Sequence, residues 1–228
     1  MSFFNLFKPD VENLQRNRDV NGLIEALKNR DEHTRAHASY ALGEIRAHEA
    51  IDPLIAVVLT DAPLVRYEAA RSLGILNDPK AIPALIENFK YGVFCDPLSN
   101  NLTDAYGNPY TGSKNIGSTF SDVHNNAKAA LVDFGETAVL PLLNVLNDKS
   151  PFVRAFAANV LGVIKDQRAL EPLCNLMTDN HSFVRGAVVW SLGNFGGEKA
   201  IQCLKNAEKI ETDYYIKRDI GDTLRRIK

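Results

Sequence analysis

Cysteine is scarce in this chain, three in 228 residues. Cys95, Cys174 and Cys203 are odd in number and widely spaced, so they make neither a CxxC metal pair nor a disulfide framework. That usage suits a reducing, cytoplasmic setting. A surplus of one charge is lacking too: Lys and Arg number 26 against 28 Asp and Glu, a formal net charge of -2. Phosphate binders carry a basic excess, so no nucleic-acid partner is expected. No apolar run reaches the length of a membrane-spanning helix, and no membrane partner is expected. Residues 1–8 have no basic n-region and too short an apolar run for a signal peptide. Nucleophile–base motifs are missing: there is no GxSxG, no Walker loop, and no GxGxxG between a strand and a helix. No catalytic residue, cofactor or metal is therefore assigned.

What the chain has is a repeat. Ala50-Ile51-Asp52-Pro53-Leu54-Ile55 returns as Ala81-Ile82-Pro83-Ala84-Leu85-Ile86 and as Ala138-Val139-Leu140-Pro141-Leu142-Leu143. It returns again from Ala169 and Ala200, and Asp19 opens a looser first copy. Four of the five intervals are 31 residues and the third is 57. A fixed period of this size marks an array of stacked units.

Within one unit the spacing predicts two helices. Ile51, Leu54, Ile55, Val58 and Leu59 recur at helical spacing on one face. Pro53 sits in the first turn, where its missing N–H costs nothing, and Pro141 and Pro172 are expected at the same place. Pro63 opens a second helix, as does Pro151 after Ser150. That helix carries Val65, Ala69, Ala70, Leu73 and Gly74, then Val153, Ala157, Ala158, Leu161 and Gly162, then Val184, Val188, Val189, Leu192 and Gly193. Neither helix can bury its face alone, so pairs must stack.

The Val-Arg, paired small residues and Leu-Gly of this second helix resemble the HEAT-repeat family, in particular the short HEAT-like repeats of phycobilisome bilin lyases. The resemblance implies an all-α, right-handed α-solenoid of six helix pairs over residues 1–228. Residues 2–17, with Phe3, Phe4, Leu6, Phe7, Val11 and Leu14, are expected to cap the first pair. Residues 92–122 read as an insertion in the third repeat. Asp104 to Gly112 within it suggest tight turns or a small hairpin. Asp96, Asn100, Asn101 and Asp104 lack the order of oxygen ligands that an EF-hand needs. One HEAT-repeat enzyme, deoxyhypusine hydroxylase, binds iron through repeated His-Glu pairs. Here the His-Glu pair His48-Glu49 falls in a turn, so no metal site is expected.

Arg35, Arg66, Arg154 and Arg185 recur at one position. An anion-binding ladder is one reading. Packing between repeats, with bonds to turn carbonyls or to acids such as Asp148 and Asp179, is the reading that repetition favours. In arrays of this type the second helices line a concave groove. The anchors expected on that face are Tyr40, Tyr67, Arg71, Phe152, Phe156, Phe183 and Trp190. Aromatic residues at wet positions mark binding anchors, though they could instead pack on the insertion or on adjacent helix ends. The function expected is a non-enzymatic scaffold that grips a protein or peptide in the groove. The alternative is a bilin lyase subunit or chromophore chaperone, in which Arg71 meets the propionates and Tyr67, Phe152 and Trp190 meet the rings.

Overall fold

The computed structural model describes residues 9–90, 94–95, 102–103 and 122–227. They fall into two compact units, the first made of residues 9–90 and 122–133, the second of residues 94–95, 102–103 and 134–227. In the first, α1 (Val11–Arg16) precedes three helix pairs: α2 (Val20–Ala26) with α3 (Glu32–Glu44), α4 (Ile51–Thr60) with α5 (Pro63–Leu76), and α6 (Ile82–Lys90) with α7 (Asp122–Asp133). The second holds α8 (Glu136–Asn144) with α9 (Pro151–Ile164), α10 (Leu170–Asn175) with α11 (Ser182–Phe195), and α12 (Gly197–Ile210) with α13 (Tyr214–Arg226). Two-residue strands, β1 (Phe94–Cys95) and β2 (Leu102–Thr103), pair antiparallel, Phe94 with Thr103 and Cys95 with Leu102. The rest of the 92–122 insertion, including the turns expected from Asp104 to Gly112, lies outside the described residues. So do Phe3, Phe4, Leu6 and Phe7, while α1 packs on α2 and α3.

Local chemistry sets the helix ends. Asp19, Asp31 and Asp213 accept backbone N–H groups at the starts of α2, α3 and α13. Pro63 and Pro151 occupy the first positions of α5 and α9. α5 and α9 end on left-handed residues, Asn77 at φ 51° and Lys165 at φ 59°. Gly196, 31 residues beyond Lys165, turns the chain at φ 62°. One expectation is corrected here. α8 begins at Glu136, after Gly135 at φ 55°, so Pro141 lies inside the helix rather than in its first turn. Its absent N–H removes a backbone bond from the middle of α8.

The second helices pack on one another, α3 on α5 and α5 on α7 in the first unit, α9 on α11 and α11 on α13 in the second. The repeated apolar residues face inward: Val65, Leu73, Val153, Leu161, Val184 and Leu192 are fully buried. Leu-Gly marks the closest approach. A Cβ on Gly43 would lie 2.4 Å from Ser72 Oγ, and one on Gly162 2.6 Å from Ser191 Cβ. Each serine donates across that gap, Ser72 Oγ to Ser39 O at 2.7 Å and Ser191 Oγ to Ala158 O at 2.8 Å.

The recurring arginines tie one repeat to the next. Arg154 binds Asp179 through Nε at 2.7 Å and Nη2 at 2.8 Å, and gives Nη1 to Asp148 O at 2.8 Å. Arg185 repeats this with Glu211 at 2.7 and 2.9 Å and Asp179 O at 2.9 Å. Arg35 does so with Asp61 and Asn29 O. Arg66, in the pair before the 57-residue interval, donates to both the side-chain and the backbone oxygen of Asn88. The ladder is structural: Arg35, Arg154 and Arg185 each stitch their own turn to the turn of the following pair, and Arg66 reaches into α6 of the following pair.

Candidate functional site

In the second unit the second residue of each second helix is aromatic. Phe152, Phe183 and Tyr215 hold this place in α9, α11 and α13. The rings of Phe152 and Phe183 are neighbours, with centroids 5.3 Å apart and planes tilted by 51°. Both are half-buried, as is Trp190 two turns along α11. Offset or tilted pairs at this distance gain from ring electrostatics as well as from area.

Phe156 does not belong to this surface. It is 2% exposed and is part of the core. The cause is legible in α9 itself, whose residues 153–162 are all buried. Its sequence carries one charged side chain, Arg154, and a helix apolar on every face is enclosed on every face. Asn159, on the same face, is buried with it.

Two further aromatic residues extend the row: Tyr215, which the sequence also places on the groove face of the sixth repeat, and Tyr214 beside it. Tyr214 is 73% exposed and Tyr215 59%, their rings meeting edge-on at 5.5 Å. Arg218 lies over the Tyr215 ring at 5.6 Å, and Ile210 just before the turn is also exposed. The signal was in the sequence. The sixth repeat runs one residue late, so Tyr215 rather than Tyr214 matches Phe183.

In the first unit two of the expected anchors, Tyr40 and Arg71, are already engaged with each other. The Arg71 guanidinium sits 4.6 Å over the Tyr40 ring and pairs with Glu44 Oε1 at 3.1 Å. Its other nitrogen is 3.9 Å from Glu68 Oε2, a buried oxygen with no hydrogen bond. Burial pushes the Glu68 carboxyl above its usual range, against the pull of Arg71 and His37. Tyr67 is half-buried, and its carbonyl accepts Asn126 Nδ2 at 3.2 Å. Two carboxylates face one guanidinium here, so the local charge does not favour an added anion. Among the described residues no cluster of three His, Cys, Asp or Glu side chains could hold a metal ion. No helix among them is long and apolar enough to cross a membrane.

These features define an all-α array of helix pairs with an inter-repeat arginine ladder and a row of aromatic residues. A profile for HEAT repeats matches residues 20–92 and 126–225, and the chain belongs to the HEAT-repeat family. It is 34% identical over 115 residues to phycocyanobilin lyase subunit beta of Nostoc sp. strain PCC 7120, covering 50% of this chain and 44% of that protein. It is 38% identical over 79 residues to phycocyanobilin lyase subunit alpha of Picosynechococcus sp. strain PCC 7002, covering 32% of this chain and 30% of that protein. The chain thus spans less than half the length of either relative. A solved structure from work on microtubule plus-end tracking by XMAP215, CLIP-170 and EB1 has a TM-score of 0.60 at 12% identity, covering 90% of each chain. That likeness is one of fold.

Proposed function

We propose that this chain is a cytoplasmic scaffold or adaptor that holds a protein or peptide on the aromatic row of its second unit. The observation that supports this reading is the Phe152–Phe183 pair, repeated at one position and partly exposed, with the exposed Tyr215 at the same position in the following helix. Rigid aromatic side chains lose little entropy on binding and dominate the energy of interfaces. Trp190 belongs to the same reading. Tyr40, Tyr67 and Arg71 form a second polar-aromatic contact area on the first unit.

The test is a comparison of Phe152→Ala/Phe183→Ala with the intact chain in capture from the native host, followed by affinity measurement with the partner identified. Truncating such an anchor costs about 2 kcal/mol or more, so affinity falls about 30-fold for either single variant and up to about 1000-fold for the pair. The melting temperature moves by a few degrees at most. A large loss of stability with unchanged affinity would make these rings core and overturn the reading.

A second reading, a bilin lyase subunit or chromophore chaperone, is favoured by the two relatives, whose names describe subunits of a phycocyanobilin lyase. The Arg71 site argues against a propionate there, since Glu44 and Glu68 already face that charge. Adding phycocyanobilin and recording the visible spectrum separates the two readings. A shifted band that Arg71→Ala abolishes supports the chromophore role, and an unshifted band supports the scaffold.

A further inference from the structure

α10 and α12 pack side by side within the second unit. An ion pair links them, Lys199 Nζ to Glu171 Oε2 at 3.6 Å. One helical turn further along each helix stands a cysteine: Cys174 follows Glu171 by three residues, and Cys203 follows Lys199 by four. Both are free thiols and both are half-buried, and each is the largest influence on the other's acidity. The packing of α10 on α12 sets the register, and the bridge marks it one turn before the cysteines. We propose that Cys174 and Cys203 form a redox-modification site, a dithiol that a low-molecular-weight disulfide such as oxidised glutathione closes to an intramolecular disulfide.

The two thiols have different roles. The hydrogen bond from Cys203 holds Cys174 below the ordinary thiol range; burial opposes this and the Lys199 charge assists it. The bond to Cys174, burial and the Cys174 charge push Cys203 far above that range. Of the two, Cys174 gives up its proton first, and its thiolate is the nucleophilic form. Cys174 Sγ attacks one sulfur of the oxidant, the external S–S bond breaks, and one thiolate leaves. The resulting mixed disulfide has no charge on Cys174, so two of the three causes that held the proton on Cys203 are gone. Cys203 gives that proton to water, attacks Cys174 Sγ and expels the second thiolate. Two protein thiols are oxidised to one disulfide, and one external disulfide is reduced to two thiols. The product joins the first helices of the last two pairs covalently.

The experiment uses the full chain with oxidised glutathione at neutral pH, quenched with N-ethylmaleimide and mapped by mass spectrometry after digestion. The expected product is a Cys174–Cys203 cross-linked peptide, reversed by dithiothreitol, with a melting temperature higher by several degrees. Cys203→Ser should trap glutathione stably on Cys174. Cys174→Ser should react several-fold more slowly, and equal rates would overturn the assignment of the nucleophile. Recovery of both cysteines alkylated, a stable glutathione adduct on the intact chain, or a cross-link through Cys95 would overturn the site.

Discussion

Arg154 shows how much one side chain can fix. Its guanidinium is 11% exposed and its partner Asp179 7%, and all three of its nitrogens donate. Burial alone would raise the Asp179 carboxyl. The bond from Arg154, the His181 backbone N–H and nearby positive charge outweigh it and hold the group below its ordinary value. The Arg185 bond likewise holds Glu211 low, against burial. A carboxylate depressed in the folded state stabilises above its unfolded pKa, and that contribution is lost as pH falls through the folded value. The melting temperature should therefore decline as pH drops below about 4. Asp179→Asn should be less stable at neutral pH, by about 3 kcal/mol for a broken buried pair, and should show a shallower acid decline. Thermal melts of both proteins across pH check this, and parallel curves would mean that the pair does not govern acid stability. Phe156→Ala, by contrast, should cost about 3–5 kcal/mol at every pH, as truncating a core phenylalanine does. A near-normal melt would return Phe156 to the surface set.

At the scale of the helix, much was legible before any coordinates. The Val, Leu and Gly positions of the second helices face inward as their spacing requires, because a 31-residue period leaves each pair in the same environment. The arginine ladder was legible as packing for the same reason. Phe156 was misplaced because periodic register was read without the composition of α9, which has no polar face to turn outward. The Cys174–Cys203 pair was invisible: a separation of 29 residues means nothing until α10 and α12 are seen side by side. Lys165 yields a prediction of its own. It ends α9 in the left-handed region at φ 59°, ψ 31°, which costs a side-chain-bearing residue about 1 kcal/mol or more and a glycine nothing. Lys165→Gly should raise stability by about 1 kcal/mol, measured by chemical denaturation. A loss would show that the exposed lysine makes a contact worth more than the strain.

For the whole chain, the question is what the 57-residue interval does to the array. α6 and α7 flank the insertion, yet they pack on each other, α4 packs on α6, and α5 packs on α7. The Gly74 position shows the same phase: a Cβ there would lie 2.8 Å from Ala130 Cβ, as Gly43 and Gly162 meet their serines. The third pair is therefore built like the others, and the extra residues enter it at the turn. Closing a long flexible loop costs only slightly more than closing a short one, since the entropy grows with the logarithm of length. Replacing residues 95–119 with a short Gly/Ser turn should then leave the helical signal and cooperative unfolding in place, with a change of about 1 kcal/mol. Circular dichroism melts of the shortened chain decide it. Collapse of the helical signal would show that the insertion supplies core to the repeat that holds it.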